Sequence, residues 1–334
     1  MTDEIGMWEH AEYLQPRIEH GLCTDDNARA LIVVCREALH PTTPDGIGDL
    51  GELGERYLRF VLDSRTPFGF HNRRRGDGRW DDEIGSDDSQ GRAWWALGTA
   101  ARTAPKEWMR SESVQAFDAS DGFRSSHLRA NAFAVLGAVE LLTAQPSHRA
   151  ASDLCTRAVG VIASAATARI PWPEERLTYD NARIPEALLA AGSALGERRY
   201  TAMGLRLAEW LVSTESNGGH FSFTPVGGWA PGEPRPAFDQ QPIEAWAMAD
   251  LCLRVWQLTG ADQWRLRARR AAQWMLGDND LGLALYDLAT GAGYDGLTGT
   301  SVNENCGAES TLSGVACLQV AAATEPVAPD LVTR

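Results

Sequence analysis

Lysine is all but missing from this chain: Lys106 is the only one in 334 residues, and every other basic residue is arginine. A GC-rich bacterial genome accounts for that bias. Basic charge as a whole is scarce, with 31 Lys and Arg against 45 Asp and Glu and a formal net charge of −14. Such a balance cannot build a phosphate-neutralising surface, which excludes nucleic acid as a partner. Long apolar runs are absent too. No stretch approaches the roughly 18–20 continuous apolar residues that span a bilayer, so no membrane partner is expected. Residues Met1–His20 are polar and charged and do not read as a secretory signal, so the expected location is cytoplasmic. The cysteines Cys23, Cys35, Cys155, Cys252, Cys306 and Cys317 show no CxxC spacing. In a reducing compartment they read as free buried thiols. No Cys/His zinc arrangement occurs, and no motif asks for a cofactor or a metal.

What is present is ordinary globular material, 44% hydrophobic and 23% charged, organised by an internal repeat. Five segments share one pattern: a glycine- and aromatic-rich loop, an acid next to Asn, Gln or Ser, then an alanine- and leucine-rich run. They are Thr24-Asp25-Asp26-Asn27-Ala28-Arg29-Ala30-Leu31, Asp87-Asp88-Ser89-Gln90-Gly91-Arg92-Ala93-Trp94, Tyr179-Asp180-Asn181-Ala182-Arg183, Phe238-Asp239-Gln240-Gln241-Pro242-Ile243-Glu244-Ala245 and Asn303-Glu304-Asn305-Cys306-Gly307-Ala308-Glu309-Ser310. A weaker sixth starts near Ser125 and runs to Asn131.

The runs that follow are apolar nearly all round, as in Phe133–Val139, which marks buried helices. Between them lie amphipathic segments such as Leu50–Asp63, Ala150–Ala166, Arg199–Glu215 and Ala261–Leu276. Buried and amphipathic helices alternating every 50–60 residues or so predict a two-layered ring, an all-α (α/α)6 toroid that uses residues 1–334 as one domain. Met7–Arg17, within the stretch 1–19, is the expected closing outer helix, and 325–334 the expected flexible tail. If the inner helices run in one direction, their acidic starts gather on one rim, where acids complement the helix dipoles and cap free N–H groups. Loop aromatics Phe68, Phe70, Trp80, Trp172, Phe221, Phe223, Trp229, Tyr286 and Tyr294 arrive at that same end.

The runs His20–Leu31, Leu177–Arg183, Phe238–Pro242 and Gly307–Leu312 resemble a bacterial family of six-hairpin glycosidase-like proteins. Members occur alone or attached to glycosyltransferases, often encoded near mannoside-processing enzymes. The resemblance covers roughly residues 18–320. It implies the (α/α)6 fold, a sugar or short oligosaccharide as ligand and functional association with a glycosyltransferase.

Glycoside hydrolysis needs a proton donor at the leaving oxygen and a second carboxylate as base or nucleophile. The candidates are Asp26, Asp88, Asp180, Asp239, Glu304 and Glu309, two of which would carry catalysis. Asp25/Asp26 and Asp87/Asp88 are adjacent pairs in which one acid can cap its helix while the other faces the pit. Asp180 and Asp239 have amide neighbours, Asn181, Gln240 and Gln241, able to donate to and accept from sugar hydroxyls. Glu309 reads as lying inside a helix, a turn beyond Glu304 and Asn305, where capping does not explain it. Asn27 and Asn305 join the amides expected to bind substrate, and Asp25, Asp87, His20 and His220 are expected to bind it as well. Arg29, Arg92 and Arg183 recur about one turn after the acids, and serve either substrate binding or an internal ion-pair ring. Trp80, Trp172 and Trp229 are the loop tryptophans expected to stack on sugar rings. His20 and His220, with His71 and His127, keep open a sugar epimerase or isomerase, since such enzymes share this fold and use histidines as acid and base. A non-catalytic sugar-binding module is the alternative outside enzymes. A terpenoid cyclase fits less well, because the loops are polar.

Overall fold

A computed structural model describes residues 1–39 and 50–325. Eleven α-helices follow one another among these residues: α1 (Thr24–Leu39), α2 (Leu50–Asp63), α3 (Asp87–Thr103), α4 (Glu107–Phe117), α5 (Leu128–Ala144), α6 (Arg149–Ala168), α7 (Arg183–Ala194), α8 (Arg198–Thr214), α9 (Pro242–Thr259), α10 (Asp262–Gln273) and α11 (Ala308–Ala323). The odd-numbered helices form the inner layer. α1 is buried without a break from Asp26 to Cys35, and α5 from Leu128 to Val139, as their all-round apolar composition requires. The even-numbered helices bury one stripe at three- and four-residue spacing, such as Tyr200, Gly204, Leu207, Ala208 and Leu211 on α8. Each inner helix packs on the next, and α11 packs back on α1, which closes the ring. The fold is thus an (α/α)6 toroid with six inner and five outer helices among the described residues.

The expected twelfth helix at Met7–Arg17 does not form. In its place, Ala11–Glu12 pairs with Gln15–Pro16 in a short hairpin, and Trp8 bridges Leu22. The reason lies in where the backbone bonds go. The Asn27 side chain binds both the N–H and the C=O of Met7, at 2.9 and 3.2 Å. The carbonyls of Glu9 and Tyr13 accept from Ala308 and Cys306 at the start of α11. Backbone groups committed to α1 and α11 are not free for helical i to i+4 bonds, so the gap is closed by an extended strap with a short hairpin. The expected tail, 325–334, lies outside the described residues except for Glu325.

Connections at the two ends of the ring differ, as the sequence suggested. Helix pairs α3–α4, α5–α6, α7–α8 and α9–α10 are joined by a few residues each, the last by Gly260 in the left-handed conformation (φ 68°) that ends α9. The connections that lead into inner helices are long and contain all the hairpins. The six cysteines are buried and free. Among the described residues no helix is long and apolar enough to cross a membrane.

The tightest seam is between α3 and α5. A Cβ on Gly98 would meet the Gly137 carbonyl oxygen at 1.9 Å, and one on Gly137 would meet that of Trp94 at 2.2 Å. The two backbones therefore touch directly. Gly137→Ala is expected to lower stability by about 1–3 kcal/mol by overpacking. A urea melt checks this, and an unchanged midpoint would show that the seam tolerates a methyl group.

Candidate functional site

The starts of the inner helices are capped by residues other than their own acids. Thr24 N–H donates to the Asn72 carbonyl and Asp25 N–H to Asn72 Oδ1, at 2.8 and 3.2 Å, while Asp26 N–H points at Cys23 Sγ. At α3 the cap is Ser86, whose Oγ accepts from Ser89 N–H. Capping was expected of one acid in each Asp-Asp pair; instead all four carboxylates are free to pair with side chains. Glu309 departs from expectation in the other direction. It lies in the first turn of α11, one residue after Ala308, where the dipole favours a carboxylate.

These carboxylates meet three buried arginines. Arg29 Nη1 donates to Asp26 at 2.6 Å and Nη2 to Glu309 at 2.6 Å, with Asp25 at 3.6 Å. Arg92 donates to both Asp25 oxygens at 3.1 Å and to Asp180 at 3.1 Å, and its guanidinium lies over Phe133 at 4.2 Å. Arg183 is wholly buried between Trp95 and Trp246, with Glu186 and Asp250 each at 2.7 Å. Asp250 in turn holds Arg36 by a two-pronged pair at 2.9 and 3.0 Å. Alternating charges thus run from Glu309 on the rim, down the axis, to Arg36 in the last turn of α1. The internal ion-pair ring, one of the two expectations for these arginines, is what the structure contains.

The environments of the acids differ. Burial pushes the Asp25 carboxyl up, but the Arg92 and Arg29 guanidiniums outweigh it and hold the group below its ordinary value. Glu309 is raised: burial dominates, Arg29 and Arg92 only partly oppose it, and Asp26 and Asp25 add to it. Asp26 is also raised, by burial above all. Solvent still reaches Glu309, whose side chain is 35% exposed, and Asp25, at 20%. Asp26 and Asp180 are shut in at 5% and 1%. Asp88 stays half-buried and accepts from the Tyr179 hydroxyl, and Tyr179 lies 4.8 Å from the Arg129 guanidinium. The rim surface is therefore Asp25, Glu309, Asp88 and Tyr179 above a floor of Arg29 and Arg92.

Several residues expected to meet substrate are structural. Asn27 is buried against Met7 and Cys23. Asn181 Oδ1 accepts from Thr178 N–H and from Arg129. Gln240, fully buried, binds Phe223, Ala237 and Asp280. Asn305 accepts from Tyr13 N–H. Trp172 is buried against Trp210 at 5.5 Å, so it is core and no sugar platform. Trp80 packs on Phe60 and His71, and half-buried Trp229 donates to the Glu233 carbonyl. His220 pairs with Asp280 at 2.9 Å, and Asp87 accepts from Ser125. Gln241 is the residue before α9. Asp239 and Glu304 are exposed on the loops before α9 and α11, outside the ion-pair network. His20 is exposed and pairs with His10 at 3.1 Å.

Two acids of the rim escaped sequence reasoning. Glu9 sits on the strap, ion-paired with Arg73, and burial raises its carboxyl. Its stretch had been read as a helix. Glu244, in the first turn of α9, accepts from Asp180 and Asn181 N–H and is pushed well up by burial, Glu215 and Asp180. It lies inside a quoted repeat, and its position three residues after Gln241 was the available signal. Glu9, Cys23 and Asp26 bring ligand atoms within 4.8 Å of one another. The Cys23 thiol donates to Asp26, and burial keeps it protonated, while Arg73 and Arg29 already hold the two acids.

No protein-family model matches the sequence, and no curated protein matches it at a significant level. Solved structures do. A sugar epimerase from a ruminal bacterium superposes with a TM-score of 0.71 at 12% identity, over 97% of this chain and 94% of that one. A cellobiose 2-epimerase from Spirochaeta thermophila gives 0.69 at 12% identity, over 96% and 90%. An α-1,6-mannanase of Salegentibacter sp. gives 0.63 at 12% identity, over 97% and 94%; that structure is an inactive variant, with two adjacent aspartates changed to alanine, in complex with α-1,6-mannotetrose. At such identities the likeness is one of fold.

Two predictions follow from the network. Arg92→Met leaves Asp25 and Asp180 facing each other without their shared cation, and is expected to cost about 3–5 kcal/mol in chemical denaturation. The opposed shifts of the two rim acids give a pH test. Asp25, lowered on folding, contributes stability that is present above its unfolded value of about 3.9 and lost on acidification. Glu309, raised on folding, does the reverse, costing stability as pH climbs from about 4.3 through its higher folded value. Glu309→Gln is therefore expected to melt above the wild type at neutral pH, with the margin closing towards pH 4; a lower melting temperature at both pH values would contradict it.

Proposed function

We propose that this chain is a sugar-acting enzyme of the glycoside hydrolase kind, with the rim of the toroid as its active site. One observation carries the reading. Asp25 and Glu309, both open to solvent, stand against a single guanidinium, Arg29, yet their acidities are pushed in opposite directions. Two carboxyls separated in this way supply an acid and a base from one residue type. Glu309, which keeps its proton to higher pH, donates to the leaving glycosidic oxygen. Asp25, held ionised by Arg92 and Arg29, activates water or attacks the anomeric carbon. Because a guanidinium is only a few ångströms wide, the pair falls within the separations up to about 9.5 Å that this chemistry uses. Asp88, through its remaining lone pairs, and the Tyr179 hydroxyl oxygen, whose proton is given to Asp88, both offer acceptors to sugar hydroxyls.

Mannose-containing oligosaccharides are the first substrates to try. They are supported by the sequence resemblance and by the mannanase among the structural neighbours. The resemblance also makes a glycosyltransferase the partner to seek. Asp25→Asn and Glu309→Gln are each expected to reduce release of reducing sugar from manno-oligosaccharides about 10²–10⁴-fold. Full activity in both variants would place the catalytic pair elsewhere.

A sugar epimerase is the second reading, favoured by the His10–His20 pair, whose His10 lies 3.8 Å from Glu9, and by the epimerases among the neighbours. The histidines sit on the strap, however, and no inner helix carries one over its described range. Deuterium uptake from solvent at C2 of a free sugar, abolished by His20→Ala, would establish epimerisation over hydrolysis. Sugar-dependent thermal stabilisation without turnover of any glycan would mark a binding module.

A further inference from the structure

We infer that the surface beside the start of α3, between the 65–70 hairpin and the α4–α5 connection, is a groove for further rings of an oligosaccharide, with Phe68 as its stacking platform. The inference rests on the reading of the rim as a sugar site.

Phe68 is 84% exposed, more than any other large hydrophobic among the described residues. A single exposed apolar residue is ordinary. Phe68 differs because its presentation is fixed and because it lines a cavity. Its hairpin pairs Arg65 with Phe70 and Thr66 with Gly69. Thr66 Oγ1 bonds across the tip to the Gly69 carbonyl and to Phe68 N–H. The Gln90 side chain anchors the base, accepting from Phe70 N–H and donating to its carbonyl, each at 2.7 Å. A ring held out in water on a pinned turn loses little freedom when it meets a ligand.

Below Phe68 lies a cavity of about 280 Å³, walled by Ile84, Asp87, Phe123 and Arg124. A second, of about 360 Å³, shares Asp87, Phe123 and Arg124 and continues to Ser125 and Arg157. Their shared walls make one groove. Asp87, which lines both cavities, is the residue before Asp88, and Asp88 binds Tyr179 on the rim, so the groove lies one residue along α3 from the rim surface. The lining alternates flat aromatic faces with a carboxylate, a hydroxyl and guanidiniums. That mixture suits a pyranose chain, which offers apolar C–H faces and hydroxyl edges in turn.

The test compares the intact wild type with Phe68→Ala and Phe68→Trp, measuring kcat/KM and calorimetric affinity on manno-oligosaccharides of two to five rings. The wild type is expected to improve with chain length. In Phe68→Ala the ratio of four-ring to two-ring kcat/KM should fall roughly three- to tenfold, the size of one aromatic contact, with Phe68→Trp restoring it. If the chain-length profile is the same in Phe68→Ala and wild type, the groove assignment fails while the rim assignment stands. If no oligosaccharide of any length is bound or turned over, both fail. If instead Phe68→Ala converts a dimer to a monomer in sedimentation with the profile unchanged, the groove is a protein interface and the inference is overturned.

Discussion

Three guanidiniums, Arg29, Arg92 and Arg183, lie inside this ring almost out of contact with water, at 4%, 4% and 0% side-chain exposure. A buried charge is tolerated only when its partners are close and well placed. Each of these arginines takes carboxylates from different segments: α1 and α11 for Arg29, α1 and the loop before α7 for Arg92, α7 and α9 for Arg183. A slip of one inner helix by a turn would strand at least one charge. The chain of pairs thus sets the register of the ring, whatever it adds to net stability. Helix dipoles give it a further task. Six parallel inner helices gather positive ends on the rim and negative ends opposite. Acids occupy the first turns of all but α5, and Arg36, in the last turn of α1, stands at the far end.

The same wiring distinguishes acids that look alike in sequence. Asp25 has two guanidiniums in range and is lowered, whereas Asp26, its neighbour, is shut in with one and is raised. Glu309 also has one close guanidinium and feels two nearby carboxylates. Burial raises all three, and the guanidiniums within reach bring only Asp25 back below its ordinary value. A network that ties helices together therefore separates the acidities of neighbouring carboxyls as a by-product of its asymmetry.

Much of this was legible beforehand. The acid-amide-helix repeat located the inner helices, and the all-round apolar pattern of α5 marked its burial. The arginines one turn after the acids left substrate binding and an ion-pair ring equally open, and the structure contains the ring. Partner identity was not legible, because it depends on contacts made across hundreds of residues, such as Arg29 with Glu309. The amides were read in the wrong direction for a physical reason. Asn27, Asn181 and Gln240 bind donors and acceptors as a sugar-binding amide would, but the groups they bind are loop backbones buried where long connections fold over the ring. Capping misled in a similar way. Asp25 and Asp87 have suitable residue types, but Asn72 and Ser86 reach the free N–H groups first, one of them from a loop that sequence spacing does not bring near. The strap at Met7–Arg17 was not legible because its ends are fixed by bonds to α1 and to the start of α11, contacts far away in sequence, with only a short hairpin of its own.

The plug in the middle of the ring constrains what any activity can look like. Arg183 fills the space between Trp95 and Trp246, and Trp95 also stacks on Phe133, which in turn supports Arg92. The axis is closed at that level, so a ligand on the rim meets Arg29 and Arg92 as a floor and cannot thread through. In the proposed reading, a sugar ring entering from above presents its edge to Asp25 and Glu309, and the rest of the ligand leaves sideways across the loops. Solvent reaches the ion-pair chain at its two ends, at Glu309 and Asp25 on the rim and at Arg36 on the far side, while Asp180 and Asp250 between them are shut in. The structural neighbours include both hydrolases and epimerases, and a closed interior below an open rim is compatible with either. The lower network can stay fixed as scaffold, while chemistry is decided by the few side chains exposed at the top and by the loops that steer the ligand outwards.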